Sequence, residues 1–306
     1  MRGLWRLAAS TLIGVAACRS GGPQAAGAPG VVASIPPLAA IAAEVHVDPG
    51  AVSSFLPPGA NPHAFEPRPG DVARARDAQL LLVIGLGFDD WALRAARAAA
   101  ARPPRVLVAS EGLELLPLAG EEAAAHPGES ADPHLWLDPR LGGRIGERVA
   151  EALAELDPPH AADYRARAAA LQRRLEALDA ELGARLAPVR GAGFVATHAA
   201  WGYLARRYGL VEGAVLEAAP GREPGPRHLL EASRLARERG LRAVFAEVQL
   251  SDASARVVAE EAGIPVVHLD ALGGPGVPGR ARYEDLLRWN VERIAAALEG
   301  HPVPGS

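Results

Sequence analysis

From residue 31 onward, short runs in which nearly every position is apolar alternate with longer stretches in which apolar positions recur every three or four residues. That alternation of strand-like and amphipathic helical segments is the mark of α/β units built around a mostly parallel sheet. Strand-like runs fall at 31–35, 52–56, 80–85 and 105–110, with helical stretches at 38–45, 71–77 and 89–101 between them. A second series follows at 193–198, 211–216, 242–247 and 265–270, separated by helical stretches at 201–208, 226–239 and 252–262. The pattern predicts two lobes, each a mostly parallel four-stranded sheet flanked by helices.

Between the two series lie a helical stretch at 141–156, closed by Asp157-Pro158-Pro159, and a longer one at 161–186. In the longer stretch Tyr164, Ala168, Leu171, Leu175, Leu178, Leu182 and Leu186 follow one another at three or four residues, so a single face stays apolar throughout. At about 1.5 Å per residue this helix spans roughly 35–40 Å, the size of a lobe. It is read as a rigid strut that joins the lobes and permits only small hinge motion. The expected division is a leader at 1–17, a tether at 18–30, an N-terminal lobe at 31–140, a helical connection at 141–190 and a C-terminal lobe at 191–306.

The first residues do not fit the lobes. Arg2 and Arg6 precede an apolar stretch at 7–17, shorter than the roughly 20 residues a bilayer-spanning helix needs, which reads as a secretory signal. It ends in Val15-Ala16-Ala17-Cys18, which resembles a bacterial lipobox, where the cysteine is lipidated after cleavage before it. Cys18 is the only cysteine, so no internal disulfide can form. Residues 20–30 are rich in Gly, Ala and Pro and suit a flexible tether. The expected location is extracytoplasmic, in the periplasm or on the cell surface, with the chain anchored to the membrane through Cys18.

Composition adds little beyond exclusion. With 49% hydrophobic and 22% charged residues the chain is globular, and losing Arg2 and Arg6 with the leader takes its formal charge from −4 to −6. That balance argues against nucleic acid as a partner.

The candidate chemistry lies at strand ends. His63 sits in a loop after the second strand, His134 in an irregular stretch before the 141–156 helix, and His198 closes the first strand of the second lobe. Asp270 closes that lobe's last strand. Ligands of open α/β sheets bind outside the carboxyl ends of the strands, and three imidazoles with one carboxylate form a tetrahedral set suited to Zn²⁺. Pro62 and Pro133 each stiffen the backbone before a histidine. Glu66, Glu217 and Glu247 are candidates to orient imidazole N–H groups, and His268, two residues before Asp270, is a further supporting candidate.

Several motifs in order carry a resemblance that covers essentially all of the chain after the tether. They are Val31-Val32-Ala33-Ser34-Ile35, Pro57-Pro58-Gly59-Ala60-Asn61-Pro62-His63, Asp132-Pro133-His134-Leu135-Trp136-Leu137-Asp138-Pro139, Thr197-His198-Ala199-Ala200-Trp201-Gly202-Tyr203 and Leu269-Asp270-Ala271-Leu272-Gly273. This series resembles the zinc/manganese-binding lipoproteins that serve bacterial ABC importers. The resemblance implies two lobes joined by one long helix, metal-binding histidines at His63, His134 and His198, and an acidic fourth ligand at Asp270. One departure is informative: zinc-specific members often carry a long loop rich in histidine and acid before the second histidine. Here residues 119–131 are short and acidic and hold only His126. Manganese-preferring members commonly replace one histidine by a carboxylate, whereas His198 is retained.

The expected function is capture of Zn²⁺, or Mn²⁺, in the cleft between the lobes and its delivery to an ABC-type membrane permease by a monomeric, non-enzymatic protein. Binding should weaken as histidines protonate. The rival expectations are a secreted zinc-dependent hydrolase and a metal-independent adhesin-like lipoprotein on the same fold. Against the hydrolase, the sequence holds neither a His-Glu-x-x-His helix nor a Gly-x-Ser-x-Gly turn.

Overall fold

The computed structural model describes residues 28–304 apart from 74, 100–101, 119–130 and 218–222. The leader, Cys18, most of the tether and His126 therefore lie outside the described residues.

Two parallel four-stranded sheets form the frame. In the first, β1 (Val31–Ala33), β2 (Val52–Ser54), β3 (Leu80–Val83) and β4 (Arg105–Val108) run in the order β2-β1-β3-β4. In the second, β5 (Gly193–Ala196), β6 (Val211–Val215), β7 (Val244–Glu247) and β8 (Val266–Leu269) repeat it as β6-β5-β7-β8. Every pairing is parallel, with Val31 opposite both Val52 and Leu80 in one sheet and Val244 opposite Val266 in the other. Each order reverses direction beside its first strand, and that reversal opens a crevice at the carboxyl edge.

Apart from β7, which ends at Glu247 as predicted, the strands are one or two residues shorter than predicted at their carboxyl ends, so His198 and Asp270 lie just past β5 and β8 instead of closing them. The first lobe carries α1 (Pro36–Val45), α2 (Pro69–Ala73) and α3 (Asp90–Ala99). Pro36 and Pro37 open α1, where a missing N–H costs nothing because the first turn has no intrahelical acceptor for it. The second lobe carries α6 (Gly202–Tyr208), α7 (Pro226–Glu238), α8 (Ala253–Ala262) and α9 (Tyr283–Glu299).

Between the lobes, α4 (Pro139–Leu156) and α5 (Ala161–Leu186) pack on each other. Asp138 caps α4 by accepting from the Arg140 N–H at 2.8 Å. Close approach of the pair depends on Gly146, where an added Cβ would stand 2.9 Å from Leu171 Cδ2. The predicted apolar face of α5 is buried along its whole length: Tyr164, Ala168, Leu171, Leu175, Leu178, Leu182 and Leu186. They belong to one hydrophobic core that runs from Val32 and Leu81 in the first sheet to Phe194 and Phe245 in the second. A smaller core around Val195, Leu216 and Val258 fills the far side of the second sheet.

Ion pairs fasten α5 on its polar side. Arg174 bonds Glu44 of α1 and Glu284 of α9, and Arg185 bonds Glu292 and Glu299. Asp179 is buried on the same helix between Arg140 of α4 and Arg207 of α6. Burial raises its carboxyl pKa, but the two guanidinium groups outweigh that and hold it below the usual carboxylate range. Helix α9 lies beyond the last predicted segment; Tyr283, Leu287, Val291 and Ile294 join the core, while Glu284, Asn290 and Arg293 are buried with their polar groups bonded. No helix among the described residues is long and apolar enough to cross a membrane.

Candidate metal centre

His63 is placed by a short turn. Pro62–Ala64 forms a single 3₁₀ turn in which the Asn61 side chain accepts from the His63 N–H at 2.9 Å, and the Pro62 carbonyl accepts from the Trp91 indole of α3 at 3.2 Å. A second turn supplies the wall behind it. Gly85, Leu86 and Gly87 all have positive φ, a conformation that two glycines adopt freely and that Leu86 adopts at a cost. The Asp89 carboxylate steadies the turn by accepting from the Ile84 and Gly85 N–H groups at 2.6 and 3.0 Å. Phe88 is thereby set edge-on to the His63 ring, 5.1 Å between centroids.

His134 and His198 are buried, at 3% and 5% exposure. Asp132 Oδ1 accepts from both the backbone N–H and the Nδ1 of His134, each at 2.8 Å, so one carboxylate sets the turn and the ring. The His134 ring also rests against Trp136 at 5.3 Å, and the Trp136 indole donates to Ala271 O at 2.7 Å, reaching into the second lobe. His198 stands just past β5, and its Nδ1 is hydrogen-bonded to the Glu247 carboxylate at the end of β7. Strands β5 and β7 flank the reversal in the second sheet, so imidazole and carboxylate meet at its crevice.

A carboxylate at Nδ1 fixes that nitrogen as the donor and leaves Nε2 of the same ring as the metal-binding lone pair. The three rings converge, with centroids 4.9 to 5.7 Å apart and one donor nitrogen from each within 4.8 Å of the others. Tetrahedral Zn²⁺ with Zn–N bonds of about 2.0–2.1 Å needs its nitrogens roughly 3.3 Å apart, so the rings close on the ion with small shifts. The donor set is nitrogen-rich, with negative charge held one bond behind two of the rings. Such a set suits Zn²⁺ better than a cation that prefers oxygen.

The predicted supporting residues divide. Glu247 is in place, as described. Glu217 is buried at the end of β6, with its N–H donating to Thr197 O beside His198. Glu66 is exposed. His268 bonds Asp252 at 2.9 Å, and Arg256, ahead of His268, pulls the Asp252 carboxyl down to about 2. Neither Glu66 nor His268 joins the converging rings.

Asp270 is buried, yet it stands apart from the trio of donor atoms. Its Oδ1 accepts from Gln249 Nε2 and from the N–H groups of Leu272 and Gly273 at 2.6, 2.9 and 2.8 Å, and its Oδ2 pairs with Arg280 at 3.0 Å. Asp132 and Phe88 were not among the sequence candidates. Asp132 had a readable signal, because an Asp two residues before a histidine can bond that residue's N–H through its own side chain. Phe88 had none, since its turn closes locally through Asp89 and nothing in the sequence says that it faces His63.

Comparison with known proteins identifies the family. The family described as zinc-uptake complex component A, periplasmic, matches residues 31–297. The high-affinity zinc uptake system protein ZnuA of Paracoccus denitrificans is 30% identical over 312 residues, 90% of this chain and 94% of that protein. A crystal structure of ZnuA superposes with a TM-score of 0.78 at 34% identity, covering 89% of this chain and 99% of the other. FpvC from Pseudomonas aeruginosa in complex with Mn²⁺ gives 0.79 at 28% identity, covering 89% and 99%. The fold, the ordered motifs and these matches place the chain in the zinc-uptake complex component A family.

Proposed function

We propose that this protein captures Zn²⁺ outside the cytoplasm between its two lobes and passes it to an ABC-type membrane permease, acting as a monomer tethered through lipidated Cys18. The observation that carries this reading is the convergence of His63, His134 and His198 from both lobes, with Asp132 and Glu247 orienting two of the rings. Neutral imidazoles hold the ion, and the carboxylates behind them raise imidazole basicity and offset charge. Mn²⁺ is the weaker cargo, because it favours oxygen ligands that the three rings do not provide.

Three imidazoles also describe a catalytic zinc shell. The two carboxylates bonded to the rings orient imidazoles, a role shared by carrier and catalytic sites, so carriage rests on the family match to a zinc-uptake component. Cells lacking their own zinc-capture protein test the proposal. The wild-type chain is expected to restore uptake of radioactive zinc at low concentration, and a His63→Ala, His134→Ala double variant is not. Full uptake by the double variant contradicts the proposal.

A further inference from the structure

Unlike Asp132 and Glu247, which hold imidazoles, Asp270 is committed to a cation. Buried Asp270 pairs with a half-buried Arg280, their side chains 3% and 18% exposed. Arg280 is itself held, since its guanidinium lies over the Trp289 ring at 4.3 Å and its carbonyl accepts from the Gly274 N–H at 3.0 Å. Asp270 stands next to Ala271, whose carbonyl accepts from the Trp136 indole that packs on His134, so its backbone is tied to the wall of the histidine site. The segment carrying Arg280 also crosses the lobe boundary: a Cβ at Gly274 would meet Pro58 at 3.0 Å and Pro36 at 3.2 Å, both in the first lobe.

We propose that Arg280 is a specificity-determining residue: by holding Asp270 Oδ2 it keeps that carboxylate out of the coordination shell, leaving three imidazoles and an open fourth position, and so favours Zn²⁺ over Mn²⁺. This rests on the three-histidine reading of the site. To recruit Asp270, a metal must break a desolvated charge pair and leave a guanidinium uncompensated beside Trp289, a cost that falls on any ion relying on carboxylate oxygen. Zn²⁺ avoids that cost because imidazole nitrogen already satisfies it.

The test is equilibrium competition of Zn²⁺ and Mn²⁺ for the metal-free full-length chain, with Co²⁺ absorption spectra as a report on ligand identity. In Arg280→Gln the ratio of zinc to manganese affinity should fall about tenfold or more, and the Co²⁺ spectrum should shift as an oxygen ligand enters. Adding Asp270→Asn to that variant should return both to wild type, and Arg280→Lys, which keeps a cation on the carboxylate, should leave both unchanged. Asp270→Asn alone should change zinc affinity by less than about threefold, whereas loss of a true ligand costs far more. An unchanged ratio in folded Arg280→Gln overturns the inference. So does a large loss of zinc affinity in Asp270→Asn, an arm that needs no change at Arg280. A wild-type chain that binds no zinc refutes the three-histidine reading itself, which separates the two failures.

Discussion

An imidazole has two nitrogens, and whether it serves a metal depends on what holds the one turned away. Asp132 and Glu247 hold Nδ1 of His134 and His198, which fixes tautomer and ring direction together. Glu247→Gln should therefore lower zinc affinity about 10–100-fold with the fold intact, read by competition against a chromophoric chelator. Wild-type affinity in that variant would show that the bond does not orient the ring. A different residue-scale consequence belongs to Asp89, whose carboxyl pKa is raised from 3.8 to about 6 by burial, which outweighs the hydrogen bonds it accepts. The folded state thus holds this proton more tightly than the unfolded chain, so the Asp89 contribution to stability falls as pH rises from about 4 to 6. Asp89→Asn removes that component. The stability of the variant relative to wild type should rise across that window in urea unfolding of metal-free protein, and a flat difference would count against the raised pKa.

Among the elements, α5 has the most to lose. Leu175 is fully buried in the middle of its apolar face, so Leu175→Ala should cost about 2–5 kcal/mol in chemical unfolding. A loss well under that range would mean the helix is not packed into both lobes. This face was legible in advance because the three-and-four spacing of Tyr164 to Leu186 is uninterrupted and only one side of the helix meets a core. Helix α9 was not, since Glu284, Asn290 and Arg293 are buried alongside its apolar residues and break the stripe on which such reading depends. The strand ends illustrate the same limit at finer scale: apolar runs continue past β5 and β8 because the chain stays buried after it leaves the sheet. Three histidines were readable because each stands beside a stiffening or strand-ending signal. The pairing of Asp270 with Arg280 was not, because Arg280 reaches it from a loop whose path only the folded chain defines.

At the scale of the whole molecule, a single core threads both lobes through α5 while the site draws His63 and His134 from one side and His198 from the other. Binding an ion then means drawing three rings inward between bodies whose spacing the strut limits, so rigidity lowers the entropy lost on capture. Each imidazole must be neutral to bind, so affinity should fall as pH drops and protons compete for the rings, with protons released on binding at lower pH. The most direct test is calorimetric titration of Zn²⁺ into the metal-stripped chain and into the His63→Ala, His134→Ala, His198→Ala triple variant. The three-histidine site predicts one ion bound per wild-type chain and none by the folded variant; equal stoichiometry and affinity in the two proteins would contradict it.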